Sequence, residues 1–198
     1  ERNKEAANTE YKYAVMCKNT GKICIFTDIG QMHTIKVLDL PFGKFRDKGI
    51  PVDNVSNYST DKEEIVYIAS RTELNLDRFV FVTAHAMCKI VSGGEFDVTK
   101  KTIASTKLNK DDRIVDISPI KEKNNIILRS RGGMFIRFLI DEISEMKKTS
   151  VGVRGMKLAA GDEIEAVYYT TDADISTIEY NGSTVMLNMV KQTKRDGK

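Results

Sequence analysis

Four short stretches repeat one pattern along the 198-residue chain: FTDIGQMHTI from Phe26, VTAHAMCKIV from Val82, RSRGGMFIRF from Arg129 and IEYNGSTVML from Ile178. Each sets a short turn ending on Gly or Ala between two apolar runs. The anchors Gly30, Ala86, Gly133 and Gly182 are 56, 47 and 49 residues apart. Apolar runs joined by a turn that tolerates positive φ read as β-hairpins. Ala86 lacks the freedom of glycine, so a different turn conformation is expected there.

A second element recurs behind the hairpins. KLNKDDRIVDI begins at Lys107 and KLAAGDEIEAV at Lys157, 50 residues later, with NYSTDKEEIVYI from Asn57 a looser version. Each runs from a polar turn through acids into a β-branched strand. Thr60 to Glu63 fits a helix capping box, but Ile65-Val66-Tyr67-Ile68 favours strand, and strand is expected. A brief helical turn is expected at 141–146. A period near 50 with about four strands per unit marks radially arranged β-blades. The fold expected is therefore all-β and propeller-like, about three four-stranded antiparallel blades plus part of a fourth, in an incomplete ring. The units fall at about 22–70, 78–120 and 125–170, with 11–18 and 175–198 belonging to flanking blades. Residues 11–18 read as a strand left from an earlier unit.

Composition limits what such a chain does. Thirty-one basic and 28 acidic residues leave a net charge of +3, and 41% hydrophobic content suffices for a core. No apolar run approaches the length of a membrane helix, and the polar start lacks the apolar stretch of a signal peptide, so a cytoplasmic protein is expected. Cys17, Cys24 and Cys88 have no metal-ligand spacing and read as reduced, buried thiols. His33 and His85 read as surface or turn residues. No metal site and no catalytic constellation is expected.

Gly93-Gly94-Glu95-Phe96 comes one letter short of a nucleotide-cyclase signature. That signature needs a second acid and an α/β domain with a metal site, and neither is present. In the repeat it occupies the place of Leu38-Asp39-Leu40 and Asp141-Glu142-Ile143, where a blade leaves its hairpin, and it reads as a turn. Arg131-Gly132-Gly133 lies between two strands, so no helix dipole is available there for a phosphate.

The third unit carries the most specific motifs: Ile136-Arg137-Phe138, Gly152-Val153-Arg154-Gly155, Lys157-Leu158 and Gly161-Asp162. The first carries Phe26-Thr27-Asp28-Ile29-Gly30, Leu40-Pro41, Lys48-Gly49-Ile50-Pro51 and Asn54-Val55. In these stretches the chain resembles the C-terminal domain of DNA gyrase A and of its topoisomerase IV paralogue. The resemblance implies a β-pinwheel whose neighbouring blades exchange strands, with duplex DNA bound and bent around the outer rim. It implies as partners the rest of the gyrase A chain and the ATPase subunit, in the cytoplasm of a bacterium. ATP and Mg2+ are implied only for the whole enzyme, whose catalytic residues lie outside this chain. The family's basic, glycine-rich box is not matched; Gln192 to Lys198 comes nearest, with an inserted threonine and an aspartate in place of glycine.

Binding a duplex without regard to sequence needs Lys and Arg at phosphate spacing. Candidates cluster once per unit: Lys44, Arg46 and Lys48; Lys100 and Lys101; Lys147, Lys148 and Arg154; Lys191, Lys194, Arg195 and Lys198. They serve DNA only if they share an outer track and are not spent against acids. The alternative is a propeller-like scaffold for protein partners, with these charges conferring solubility.

Overall fold

A computed structural model describes Thr9, residues 11–44 and residues 46–197. The chain is built from hairpins: β1 (Lys22–Thr27) with β2 (Gln31–Lys36), β4 (Arg78–Thr83) with β5 (Met87–Ser92), β8 (Asn125–Ser130) with β9 (Phe135–Leu139), and β12 (Thr177–Tyr180) with β13 (Ser183–Met186). A returning strand adds to the first strand of each of the first three: β3 (Ile65–Ser70) on β1, β7 (Ile114–Pro119) on β4, and β11 (Ile164–Thr170) on β8. The fourth strand comes from the next repeat. β6 (Thr102–Ala104) pairs with β2, and β10 (Val153–Arg154) pairs with β5. The orders are thus β3-β1-β2-β6 and β10-β5-β4-β7, with a three-stranded β11-β8-β9 and the β12-β13 hairpin. Gln192 bridges to Arg137 on β9, where the donated strand of the third sheet would lie.

Two cores hold the sheets face to face. Phe26, Met32, Phe79, Phe81 and Phe96 pack between the first and second sheets, with Phe26 edge-on to Phe96 at 5.0 Å. Val80, Val82, Ile90, Leu128, Ile136 and Phe138 pack between the second and third. Successive residues of β4 thus serve opposite neighbours, because side chains alternate along a strand. This explains why Phe79-Val80-Phe81-Val82 is a continuous apolar run in an antiparallel sheet. Full burial of each such side chain contributes roughly 1.5–3 kcal/mol.

The first three hairpin turns each place one residue in the left-handed region, whereas the two-residue fourth turn places both Asn181 and Gly182 there. Ala86 takes φ 61°, beside 79° for Gly30 and 84° for Gly133. The expectation of a different turn at Ala86 is corrected: it accepts the left-handed region at a cost of roughly 1–2 kcal/mol. Its Cβ is wholly buried in the second core, which offsets that cost. Residues 11–18 form no strand; the Tyr13 hydroxyl instead donates to the Val66 carbonyl at 2.9 Å. The capping box belongs not to Thr60 but to Ser70 and Glu73, on the one-turn helix α1 (Arg71–Leu74). The turn expected at 141–146 is a 3-10 turn at Ile140–Glu142.

Candidate nucleic-acid interface

Each strand exchange passes through the same connection. After the second hairpin strand comes a 3-10 turn, at Val37–Asp39, Gly93–Phe96, Ile140–Glu142 and Leu187–Met189. After the second and third of these turns the chain crosses to the preceding sheet as β6 and β10, and after the fourth Gln192 reaches β9. The seventh residue after the start of each turn is Lys44, Lys100, Lys147 and Lys194. Among the inner strands, β3 and β11 both touch β7, so the donated strands lie at the opposite, outer edge of each sheet. Lys100 and Lys101 lead directly into β6, Arg154 lies on β10, and Lys191 and Lys194 flank Gln192. The lysines of the second, third and fourth connections therefore lie on or beside donated outer segments. Lys44, Arg46 and Lys48 share only the sequence offset from their turn, since their connection pairs with no described strand.

Their electrostatic states differ. Glu95, the third residue of its turn, accepts from Lys147 Nζ at 2.9 Å, and its carbonyl accepts from Lys148 Nζ at 3.0 Å. The hydrogen bond from Lys147 holds the Glu95 carboxyl below its usual range, and Glu95 raises Lys147 in turn. Glu142, at the same turn position, accepts from the Arg195 backbone N–H at 2.8 Å. The Arg195 guanidinium donates to the Glu142 and Arg154 carbonyls. Arg154 pairs with Asp196, its Nη2 donating to Oδ2 at 2.8 Å, which lowers the aspartate and raises the arginine. Lys44, Arg46, Lys48, Lys100, Lys101, Lys191 and Lys194 make no ion pair among the described residues and are exposed. Lys198 lies outside the described residues.

Buried polar residues brace the crossovers. Lys89 is 1% exposed, and its ammonium donates to the carbonyls of Lys148 at 2.9 Å and Ser150 at 2.7 Å. Burial pulls it down to about 8. At the matching position of the first sheet stands His33, buried rather than on the surface. Its Nδ1 meets Thr102 Oγ1 of β6 at 3.0 Å, and its Nε2 meets the Glu63 carboxylate at 3.0 Å. Burial pushes Glu63 up, but the hydrogen bonds from His33 and the Ser59 N–H outweigh it and leave the carboxyl below its ordinary range. His85 is an exposed turn residue, and Cys17 is only half-buried, with its thiol donating to the Lys22 carbonyl. Among the described residues no group of three or more His, Cys, Asp or Glu stands ready to hold a metal. No helix among them is long and apolar enough to cross a membrane.

Two glycines of the third unit dock its donated strand. A Cβ on Gly152 would lie 2.6 Å from the Cys88 carbonyl oxygen, and one on Gly155 would lie 2.6 Å from Cys88 Sγ. The Gly-Val-Arg-Gly motif is thus the form of an outer strand that must approach β5 closely. The model of the DNA gyrase C-terminal domain, a β-propeller, matches residues 77–121 and 124–171, the second and third repeats. The chain belongs to the DNA gyrase C-terminal domain family. DNA gyrase A of Rickettsia bellii is 31% identical over 154 residues, covering 70% of this chain and 16% of that protein. This chain thus spans about a sixth of the length of that relative. Two solved folds are similar: the C-terminal domain of DNA topoisomerase IV (TM-score 0.81, 23% identity, 98% of this chain and 65% of that one) and the DNA gyrase A C-terminal domain (TM-score 0.64, 19% identity, 92% and 60%).

The gyrase-family motifs were legible in sequence, but the acids that fasten the crossovers were not. Glu95 and Glu142 each sit third in a 3-10 turn, with Asp39 in the same place in the first repeat. That spacing is visible in the sequence once the turns are aligned, and it was the missing signal.

Proposed function

We propose that this chain binds duplex DNA irrespective of sequence along the outer edges of its sheets and bends it, as part of the gyrase-A-type component of a bacterial type II topoisomerase. Membership of the gyrase C-terminal family supports this reading. The observation that carries it is the lysine at one register of all four crossovers, Lys44, Lys100, Lys147 and Lys194. Solubility alone sets no such period. A duplex following these edges is neutralised on its inner side. Bending 20–30 base pairs through 40–90° costs on the order of 1–6 kcal/mol, which several sheets in a row offset better than one. The strand-passage chemistry and the ATP it consumes belong to other parts of the whole enzyme, and this chain acts on DNA without catalysis.

An electrophoretic shift with unrelated duplexes tests the reading. Equal affinities that fall steeply between low and high salt are expected. A protein-docking scaffold is favoured by one observation, the exposed Leu38, Phe42 and Ile50 around the first crossover. Absence of any shift, together with salt-insensitive capture of another topoisomerase component, would establish that scaffold instead.

A further inference from the structure

The outer half of the first sheet holds an open cavity of about 350 Å³. Lys22 and Lys36 stand directly opposite one another on β1 and β2. Lys101 joins them from the crossover, its carbonyl accepting from the Thr34 N–H at 2.8 Å. All three line the cavity, together with Asn54 and Asn57. Like charges directly opposite on antiparallel strands are destabilising. None of the three lysines makes an ion pair among the described residues, and Asp39 is the only acid in the lining.

The repeat itself does not require this concentration of charge. In the second sheet the matching pair is Arg78 opposite Ser92, and Arg78 meets Glu145 at 3.4 Å. In the third it is Asn125 opposite Leu139, with no charge at all. Only the first sheet gathers lysines here and leaves them unanswered. Asn57 spends one amide hydrogen on Thr102 Oγ1 at 2.9 Å, and its second remains to donate. Three lysines lining one cavity with neutral amide donors suit a tetrahedral oxyanion, which accepts from several directions at once.

We propose that this cavity seats one phosphate group, held by Lys22, Lys36 and Lys101. Where that phosphate belongs to a duplex, the seat rests on the DNA-binding reading above; a free phosphate would be held by the same chemistry.

Two measurements on one set of proteins separate these sources. The proteins are the wild-type chain, Lys22→Ala/Lys36→Ala, and a charge-matched control, Lys62→Ala/Lys110→Ala, each checked for an unchanged circular dichroism spectrum. Inorganic phosphate is titrated into ¹⁵N-labelled protein at constant ionic strength, following the Asn54 and Asn57 side-chain amides. Saturable shifts are expected in wild type and control, with affinity weakened about tenfold or more in the lysine double variant. In parallel, anisotropy of a labelled duplex gives the salt dependence of affinity. A slope lower by about 0.9 in the lysine double variant than in the control assigns the seat to one backbone phosphate. Saturable phosphate shifts with an unchanged slope assign it to a free phosphate. The same shifts in a chain that binds no duplex uphold the seat while removing the DNA reading. No saturable shift in wild type, and a slope equal to the control, overturns the proposal.

Discussion

In the outer half of the first sheet, three lysines line a cavity whose one acid among the described residues, Asp39, makes no ion pair with any of them. At the same place in the second sheet, Glu95 and Glu145 hold Lys147, Lys148 and Arg78. The backbone course is shared: hairpin, 3-10 turn, crossover, donated strand. The charges differ because an acid in third position of the turn has two uses. It can fasten the crossover of the next repeat, or it can leave that crossover's lysines open to an outside polyanion. Counting basic residues per repeat does not reveal which has happened.

The comparison sharpens first at the turn. A Cβ on Gly93 would sit 1.6 Å from the Leu74 carbonyl oxygen, whereas the first sheet carries Val37 at this position. Gly93→Ala is expected to cost about 3 kcal/mol or more in urea unfolding, and Val37→Ala far less. Equal costs would mean that the two turns are not built alike.

Lys89 gives the next largest effect. Its ammonium, at about 8 in the folded chain against 10.5 ordinarily, leaves the unfolded chain with more bound protons between those values. Its contribution to stability is therefore fully present above pH 10.5 and is lost as pH falls through about 8. Denaturant unfolding between pH 7.5 and 10 is expected to show a rising contribution on the order of 2 kcal/mol that Lys89→Met abolishes. An unchanged pH profile in that variant would remove the second sheet's buried brace.

Breaking the acid latch comes third. Glu95→Gln is expected to cost about 0.5–1 kcal/mol in stability while raising the duplex salt slope by about 0.9–1.8 as Lys147 and Lys148 are freed. Asp39→Asn is expected to stay within about 0.5 kcal/mol. The smallest effect belongs to the crowded pair: Lys36→Thr is expected to raise stability by about 0.2–1 kcal/mol by relieving Lys22, read as a higher urea midpoint.

Much of the fold could be read from sequence because its signals are local. A turn anchored on glycine at Gly30, Gly133 and Gly182, and β-branched runs such as Ile65 to Ile68, announce themselves within a few residues. The alternation within β4 also follows from its apolar run, but which neighbour each face meets does not. The partners of the rim charges were not legible. Glu95 and Lys147 are 52 residues apart, and only the strand exchange brings them together. His33 looked like a surface residue because Glu63 and Thr102, which satisfy it, lie 30 and 69 residues away. Ala86 misled for a simpler reason: its burial in the second core outweighs local backbone preference.

The most direct test of free against fastened lysines is the salt dependence of duplex affinity in two variants. Lys44→Ala/Lys100→Ala/Lys194→Ala removes the open lysines of the shared register, and Lys147→Ala/Lys148→Ala removes the pair held by Glu95. The slope is expected to fall by about 2.7 in the first and by less than about 0.9 in the second. Equal losses per lysine in both variants, or a wild-type chain whose duplex affinity ignores salt, would contradict it.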